Sequence, residues 1–222
     1  MSVKIHQVAA SSLSQTLLER WRNMPVAILA DVSKGTCQID PVIRPLRPAG
    51  QQPRLFGRAV TALCQPPDFG AVLRALDVVV AGDVLVIAAQ GNRKHAMIGE
   101  ILGGHLRRLG AAGVICDGAV RDVGELASWK DLSVYSLAIT PRGPVGASLG
   151  DVNVPVTFGG LTVHPGDMVI GDDDGLAALT PAHAQDFIAD AEAKLALEAE
   201  WQKKLANGHT IAQTFGLDGP PG

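Results

Sequence analysis

Three charged side chains near the middle of the chain have the types and the spacing to do chemistry together. Glu100 follows Gly99, and after a spacer of twenty residues the chain continues with Arg121 and Asp122. Asp122, with Glu100 acting through water, offers oxygen ligands of the kind that Mg²⁺ or Mn²⁺ prefers. A guanidinium such as that of Arg121 pairs with carboxylates. The set therefore predicts a site for a divalent cation and a small organic acid.

A strand, helix, strand unit is predicted to bring these residues together. When a right-handed crossover joins two parallel strands, their carboxyl ends and the start of the intervening helix lie at the same edge of the sheet. Glu100, near the start of the helix, should then approach Arg121 and Asp122 beyond the second strand. Free amides in the first helical turn would face the same edge and suit a carboxylate ligand. The unit is predicted to comprise a strand over 84–89, a helix over 97–109 and a strand over 113–116, with the free amides at Gly99, Ile101 and Leu102.

Ordinary structural roles also explain the same residues. Asp122 followed by Glu125 matches a helix N-cap with its capping-box partner, and Arg121 could merely pair with either carboxylate. Glu100 could simply mark the start of a helix, where the helix dipole favours an acidic side chain. The residues alone leave both interpretations open.

The remaining segments predict a single α/β domain with helical extensions at both ends. Helices over 12–21 and 26–29, separated by Pro25, form an N-terminal arm, and a Pro-rich connector follows over 40–53. The core begins near residue 55 and contains a helix over 69–76. Its other strands are predicted over 55–64, 134–138, 154–158, 168–171 and 175–179. The chain thus divides into arm and connector (1–53), α/β core (54–180), and C-terminal helix and tail (181–222).

The C-terminal helix is predicted to be long. Thr180 and Pro181 have the residue types of an N-cap and a first helical position, and Asn207 with Gly208 ends the helix near residue 206. Its apolar stripe could pack on the core of the same chain or on a neighbouring subunit. The stripe comprises Phe187, Ile188, Ala191, Leu195 and Trp201. The Gly- and Pro-rich segment 209–222 predicts no element.

Composition and charge exclude several classes of protein. With 47% hydrophobic and 18% charged residues, the chain is expected to fold. Its net charge is -3 and no segment gathers basic residues, so we expect no nucleic-acid partner. It lacks the apolar run of a signal peptide or a membrane span, so we expect no membrane association. Cys37, Cys64 and Cys116 lack the spacing of a zinc site and fit a reducing compartment, which predicts a cytoplasmic protein.

Several short motifs resemble those of one known family. The block from Gly99-Glu100 to Arg121-Asp122, with Gly113-Val-Ile-Cys-Asp-Gly-Ala-Val-Arg-Asp122 inside it, is the most specific. It is similar to the 4-hydroxy-4-methyl-2-oxoglutarate aldolases, whose family also contains the regulator of ribonuclease activity A. The resemblance covers residues 26–180. Its other motifs are Gly82-Asp83-Val84, Thr140-Pro-Arg-Gly-Pro144, Val154-Pro155-Val156, Gly159-Gly160, Pro165-Gly166-Asp167 and Asp172-Asp-Asp-Gly175.

The resemblance implies a metal-dependent class II pyruvate aldolase. Such an enzyme would cleave 4-hydroxy-4-methyl-2-oxoglutarate or a related 4-hydroxy-2-oxo acid to pyruvate, with oxaloacetate decarboxylation as a side activity. A β/β/α core similar to phosphohistidine swivelling domains is implied, as is a homotrimer or homohexamer with active sites at subunit interfaces. In the family, the pattern of an acid, twenty residues and Arg-Asp accompanies aldolase activity. This chain keeps that pattern, whereas the ribonuclease regulators lack it.

The resemblance also implies a role for each site residue. Asp122 would hold Mg²⁺ or Mn²⁺, and Arg121 would face the C2 oxygen of the 2-oxo acid, onto which charge moves as the C3 to C4 bond breaks. Glu100, which stands where the best-described aldolases have Asp, would transfer a proton through water on the metal. We therefore expect Arg121 and Glu100 to be catalytic, Asp122 to be the metal ligand, and Gly99, Glu100, Ile101, Leu102 and Arg121 to bind substrate.

Other features receive weaker or competing interpretations. Gly146-Ala-Ser-Leu-Gly150 matches a serine-hydrolase elbow, but an elbow needs a strand before the serine and a helix after it, so we expect an accidental match. Asp172 to Asp174 are expected to form a tight turn. His95 could contact substrate, and Asp31 could reach the site of an adjacent subunit. The rival function is a non-catalytic regulator of ribonuclease activity that acts by binding protein.

Overall fold

The chain has a mixed α/β fold, as the sequence predicts. A computed structural model describes residues 3–8 and 13–217. The strands in these residues are β1 (Lys4–Ile5), β2 (Arg44–Pro45), β3 (Leu55–Leu63), β4 (Asp83–Ala88), β5 (Ala96–Ile98), β6 (Gly113–Val120), β7 (Ser133–Ile139), β8 (Asp151–Val152), β9 (Val156–Phe158), β10 (Leu161–Val163), β11 (Met168–Gly171) and β12 (Leu176–Leu179). The helices are α1 (Gln15–Trp21), α2 (Val26–Val32), α3 (Gly70–Ala75), α4 (Glu100–Arg108), α5 (Val123–Leu126), α6 (Pro181–Ala206) and α7 (Ile211–Phe215).

Four parallel strands form the centre of a ten-stranded sheet. The main path runs β1-β8-β3-β4-β6-β7-β2, and β3, β4, β6 and β7 are parallel to one another. β4 and β6 are buried along their whole length, which is why both are mostly apolar, with Asp83 and Asp117 as the charged exceptions. The hairpin of β11 and β12 adds to β3 in antiparallel fashion, and β9 and β10 form a separate two-stranded sheet.

The two faces of the large sheet carry separate cores. On β4, Leu85 and Ile87 pack with helices α3 and α4, whereas Val84 and Val86 pack with the cluster that includes β9 and β10. This division follows from the two-residue period of side chains along a strand. Each of these side chains is fully buried and contributes roughly 1.5–3 kcal/mol to folding.

A third core joins the two ends of the chain. Helices α1, α2 and α6 pack there against β11 and β12, and the indole Nε1 of Trp21 donates a hydrogen bond to the carbonyl of Ala184 at 2.9 Å. The buried residues of α6, namely Ala184, Ile188 and Ala191, all lie in its first half. The second half of α6 therefore extends past the core, with α7 folded back so that the rings of Phe215 and Trp201 lie 4.7 Å apart.

Most predicted elements are present, with shifted ends. The α6 prediction is confirmed at both ends, including the cap in which Thr180 accepts a hydrogen bond from the amide of His183. The helix predicted over 97–109 begins only at Glu100, because residues 96–98 pair with the end of β6 as β5. The connector over 40–53 contains β2, and α5 and α7 were not predicted.

The described residues do not test several of the sequence predictions. The start of the first predicted helix at Ser12 and the end of the C-terminal tail, 218–222, lie outside the described residues. The likeness to phosphohistidine swivelling domains and the division into three segments stay predictions. Within residues 3–8 and 13–217, no helix has the length and apolar character needed to cross a membrane.

Candidate active site

The short strand β5 brings the two halves of the predicted site together. Ala96 pairs with Ala119 and Ile98 pairs with Val120 at the end of β6, and the amide of Arg121 donates to the carbonyl of Ile98 at 3.1 Å. Helix α4 begins two residues after Ile98. The start of α4 therefore lies beside Arg121 and Asp122 at the carboxyl edge of the parallel strands, the edge at which α/β proteins place their ligands.

Asp122 occupies the N-cap position of helix α5, as predicted, but its side chain bonds to the start of helix α4. Its Oδ2 accepts a hydrogen bond from the amide of Glu100 at 3.1 Å and lies 3.5 Å from Nε of Arg121. Asp122 itself has φ +56°, a conformation that Asp tolerates better than most residues, and it makes no side-chain hydrogen bond to α5. The interpretation of Asp122 as the start of a capping box is therefore wrong. Glu125 instead accepts a hydrogen bond from the indole of Trp129.

Gly99 is required by this close approach. A Cβ on Gly99 would overlap Oδ2 of Asp122 and lie 2.8 Å from Cγ of Arg121. Any side chain at this position would separate the two charged groups from the start of α4. Gly99 thus has a steric role that spacing alone did not reveal, and the expectation that it binds substrate through its amide stays a prediction.

A cleft of 370 Å³ opens beside Arg121. Among its lining residues in the described part of the chain, only Arg121 is charged. Ile101 and Leu102, whose amides have no carbonyl of their own helix to bond, also line the cleft. The size is near the lower end of the range for small-molecule sites, so the cleft suits a small ligand.

The carboxylate of Glu100 lies on a different side of the helix start. Its backbone amide meets Asp122, but its side chain is exposed and lines a neighbouring groove with Arg107 and Trp129. The structure thus brings together Gly99, Arg121, Asp122 and the backbone of Glu100. The expectation that the acidic side chain itself approaches Arg121 is not met by these contacts.

The donor set fits a hard cation held largely by water. No group of three or more His, Cys, Asp and Glu side chains gathers in the described ranges. Asp122 is 42% exposed and offers one carboxylate. Mg²⁺ is commonly bound by one or two carboxylates and keeps several waters, whereas zinc prefers several nitrogen or sulfur ligands. Asp122 is therefore suited to Mg²⁺ or Mn²⁺.

The loop after β7 also borders the site, and this was not predicted from the sequence. A Cβ on Gly143 would lie 2.7 Å from Nη1 of Arg121, so this loop runs directly past the guanidinium. The motif Thr140-Pro-Arg-Gly-Pro144 carried part of the family resemblance, but nothing in its residue types indicated a contact with Arg121. The contact depends on how β7 and its loop pack against the end of β6.

The buried carboxylate of Asp68 holds this loop in place. It accepts hydrogen bonds from the amides of Gly70 at 2.7 Å, Ser148 at 3.0 Å and Leu149 at 3.1 Å. Burial raises the pKa of Asp68, but these amides outweigh it and hold the pKa below its usual value. An Asp before a helix, two residues ahead of Gly70, was the available signal, because Asp commonly bonds to the backbone two residues on.

A second buried carboxylate anchors the loop that leads to β5. Asp117 accepts a hydrogen bond from the amide of Ala89, immediately after β4. Burial raises the pKa of Asp117 to about 6, although the amides of Ala89, Gln90 and Gly91 oppose the rise. Asp68 and Asp117 thus fix the two loops on either side of the cleft.

The remaining candidates have structural roles. Ser148 lies in a loop between β7 and β8, without the strand and helix of an elbow, so the prediction of an accidental match is confirmed. Asp172 accepts hydrogen bonds from the amides of Asp174 and Val26, as the turn prediction implies. Asp31 pairs with Lys194 of its own chain at 3.0 Å. His95 is not among the described residues that line the cleft.

Comparisons with known proteins indicate a single family for this chain. A family model described as RraA-like (Aldolase/RraA) matches residues 26–177. The chain is 28% identical over 190 residues to a protein of Halalkalibacterium halodurans named "Putative 4-hydroxy-4-methyl-2-oxoglutarate aldolase", covering 86% of this chain and 89% of that protein. A Pseudomonas syringae protein of known structure matches with a TM-score of 0.79 at 24% identity, over 91% of this chain and 98% of that one. The RNA-processing inhibitor RraA from Thermus thermophilis matches with a TM-score of 0.62 at 30% identity, over 70% and 92%.

Proposed function

Because the chain belongs to the RraA-like family, we propose that it is a carbon-carbon lyase that releases pyruvate from 4-hydroxy-4-methyl-2-oxoglutarate or a related 4-hydroxy-2-oxo acid. One observation carries this proposal: the guanidinium of Arg121 and the carboxylate of Asp122 lie 3.5 Å apart beside the free amides at the start of α4. These groups adjoin a cleft that suits a small acid. The relative from Halalkalibacterium halodurans bears the name of the same activity.

Cleavage of such a substrate sends an electron pair toward its C2 oxygen. The C4 hydroxyl loses a proton, the C3 to C4 bond breaks, and the pair that leaves C3–C4 forms the enolate of pyruvate, which is then protonated at C3. Arg121 would stabilise the enolate oxygen more than the neutral ketone, which lowers the barrier. A divalent ion such as Mg²⁺ or Mn²⁺, held by Asp122, would supply Lewis-acid stabilisation of the same charge.

The start of α4 would bind the pyruvyl carboxylate. The amides of Ile101 and Leu102 are free for this role, whereas the amide of Glu100 already donates to Asp122. The proposed substrate contacts therefore involve fewer residues than the sequence predicts. Gly99 acts by leaving space for the side chains of Arg121 and Asp122. The exposed carboxylate of Glu100 would exchange protons with the site through water.

Assembly is part of the proposal. Ile101 lines the cleft yet is 77% exposed, and Val145, in the loop that passes Arg121, is 62% exposed. Exposed apolar side chains beside a site are typical of a surface that a partner covers. We propose a homotrimer or homohexamer in which a second copy covers the mouth of the cleft. The three cysteines are free and buried, which supports a cytoplasmic location.

A direct assay tests the activity. The purified chain is incubated with Mg²⁺ and 4-hydroxy-4-methyl-2-oxoglutarate, and pyruvate is followed with lactate dehydrogenase. Release should stop on chelation and return with Mg²⁺ or Mn²⁺, and slow pyruvate release from oxaloacetate should accompany it. Absence of pyruvate from every 2-oxo acid tested, with either metal, would reject the lyase.

A non-catalytic regulator is the second candidate. The RNA-processing inhibitor RraA from Thermus thermophilis covers 70% of this chain at 30% identity. Against this candidate, the chain keeps the Arg121 and Asp122 pair that the aldolase interpretation requires. An inactive lyase that inhibits a ribonuclease when mixed with it would favour the regulator.

A further inference from the structure

The cleft has one charged side chain among its described lining residues, and the rest of the lining is apolar. Arg121 is the charged group, and the proposed function places the pyruvyl group there and at the amides of Ile101 and Leu102. Phe69, Leu73 and Pro144 are among the apolar residues of the lining.

We propose that the preferred substrate carries an uncharged alkyl or aryl group at C4, instead of a second carboxylate. This inference rests on the proposed function and adds the substrate class to it. With the 2-oxo acid held at Arg121, the C4 substituent must extend along the rest of the cleft, whose other lining residues, Phe69 and Leu73 among them, are uncharged. An apolar group would bury surface there without losing any hydrogen bond.

The number of charged groups in the cleft also favours an uncharged C4 substituent. A carboxylate that leaves water without a partner pays a large desolvation cost, so a site for a second carboxylate needs a cation or further hydrogen-bond donors. Within the described residues this cleft has one cation, Arg121, which is already engaged with Asp122 and the C2 oxygen. Arg142 is next to the loop residue Gly143, but it is exposed and does not line the cleft.

The apolar lining is suited to substitution because Leu73 is only half-buried. It belongs to α3, and it lines the same cleft as Arg121. Arg at this position would add the missing second cation, whereas Met would keep the volume and the apolar character. The pair Leu73→Arg and Leu73→Met therefore separates charge from packing.

The experiment compares substrates that share the same 2-oxo acid group. Pyruvate release is measured with Mg²⁺ for 4-hydroxy-2-oxohexanoate, for 4-hydroxy-2-oxo-4-phenylbutanoate and for 4-hydroxy-4-methyl-2-oxoglutarate. We expect kcat/KM at least tenfold higher for one of the two uncharged substrates than for the dicarboxylate. Leu73→Arg should shift this ratio at least tenfold toward the dicarboxylate, and Leu73→Met should keep the wild-type ratio.

A separate measurement distinguishes failure of this inference from failure of the proposed function. Exchange of the methyl protons of pyruvate for deuterium, followed by NMR, reports formation of the enolate and does not involve a C4 group. If exchange occurs but the wild-type protein prefers the dicarboxylate, the substrate class is wrong and the lyase stands. If neither exchange nor cleavage occurs, the proposed function itself fails. If Leu73→Arg does not fold, the wild-type ratio still decides.

Discussion

Asp122 combines two tasks that are usually given to different residues. Its carboxylate caps α4 through the amide of Glu100, and the same group is the proposed ligand of the metal. Because a helix N-terminus favours negative charge, the cap also keeps an anionic group beside Arg121. A substitution at Asp122 can therefore keep the cap of α4 while it removes the proposed metal ligand.

Asp122→Asn should separate the two tasks. Asn tolerates a positive φ and keeps an oxygen for the amide of Glu100, but it lacks the charge that a cation needs. We expect kcat/KM for pyruvate release to fall by about a hundredfold or more, with the melting temperature within a few degrees of wild type. Asp122→Ala should lose a further ~1 kcal/mol of stability because the cap is gone. Near-normal turnover in the Asn variant would reject Asp122 as the ligand.

Gly143 controls the position of Arg121. The Gly143→Ala methyl group would meet Nη1 of Arg121, and the flexible guanidinium is the group that would move. We expect kcat to fall by about tenfold to a hundredfold, while thermal stability changes little. Gly124→Ala is a matched control, because a Cβ there meets nothing within 4 Å. If Gly143→Ala is as active as the control, the loop does not position the guanidinium.

At the level of elements, two buried carboxylates attach loops to the sheet and helices. Asp68→Ala would leave the amides of Gly70, Ser148 and Leu149 without their acceptor, at a cost of about 3 kcal/mol in the free energy of unfolding. Since the folded pKa of Asp68 is below its unfolded value, its contribution is present above about pH 4 and is lost as the pH falls further. Urea unfolding at pH 7 and pH 3 measures both effects. Equal losses at the two pH values would contradict the assignment.

Asp117 should have the opposite dependence on pH. Its folded pKa is about 6, above the unfolded value of about 3.9, so the folded chain binds a proton that the unfolded chain has released. The contribution of Asp117 to the stability of the wild-type protein should therefore fall by about 2 kcal/mol as the pH rises from 4 to 6. Asp117→Asn should remove this decrease, while Asp77→Asn, at an exposed ion pair, should keep it. Thermal unfolding across this range distinguishes the two.

The elements that were predicted correctly are those whose signals are local. The buried strand β4 and the first half of β6 appear as apolar runs, and α6 carries its cap and its end in its own sequence. The strand β5 has three residues and exists only because it pairs with the end of β6, so the sequence pattern extended helix α4 over it. The role of Asp122 likewise depends on a contact between residues that are distant in sequence. Its spacing to Glu125 indicated a capping box, but its carboxylate is used by an amide 22 residues away.

At the scale of the whole molecule, the second half of α6 is the feature that a single chain does not explain. After Ala191 it makes no buried contact with the three cores, and it carries Leu195, Leu197 and Leu205 exposed. An apolar surface of this kind on an extended helix is expected to pack against another copy. The sequence left open whether the stripe faces its own core or a neighbour, and the structure places Ile188 and Ala191 on the core of the same chain and leaves Leu195 exposed.

Substitutions on this half of α6 test the proposed assembly. Wild-type protein should have the mass of a trimer or hexamer by light scattering, and Leu197→Glu with Leu205→Glu should shift it to a smaller species, because two charges would have to be desolvated in the interface. Gln202→Glu places the same charge on an exposed polar position of the same helix and should leave the mass unchanged.

If a second copy also covers the cleft, the smaller species should lose specific activity on dilution while its circular dichroism stays constant. A monomeric wild-type protein at micromolar concentration would reject the assembly, and an unchanged mass in the double variant would move the interface away from α6.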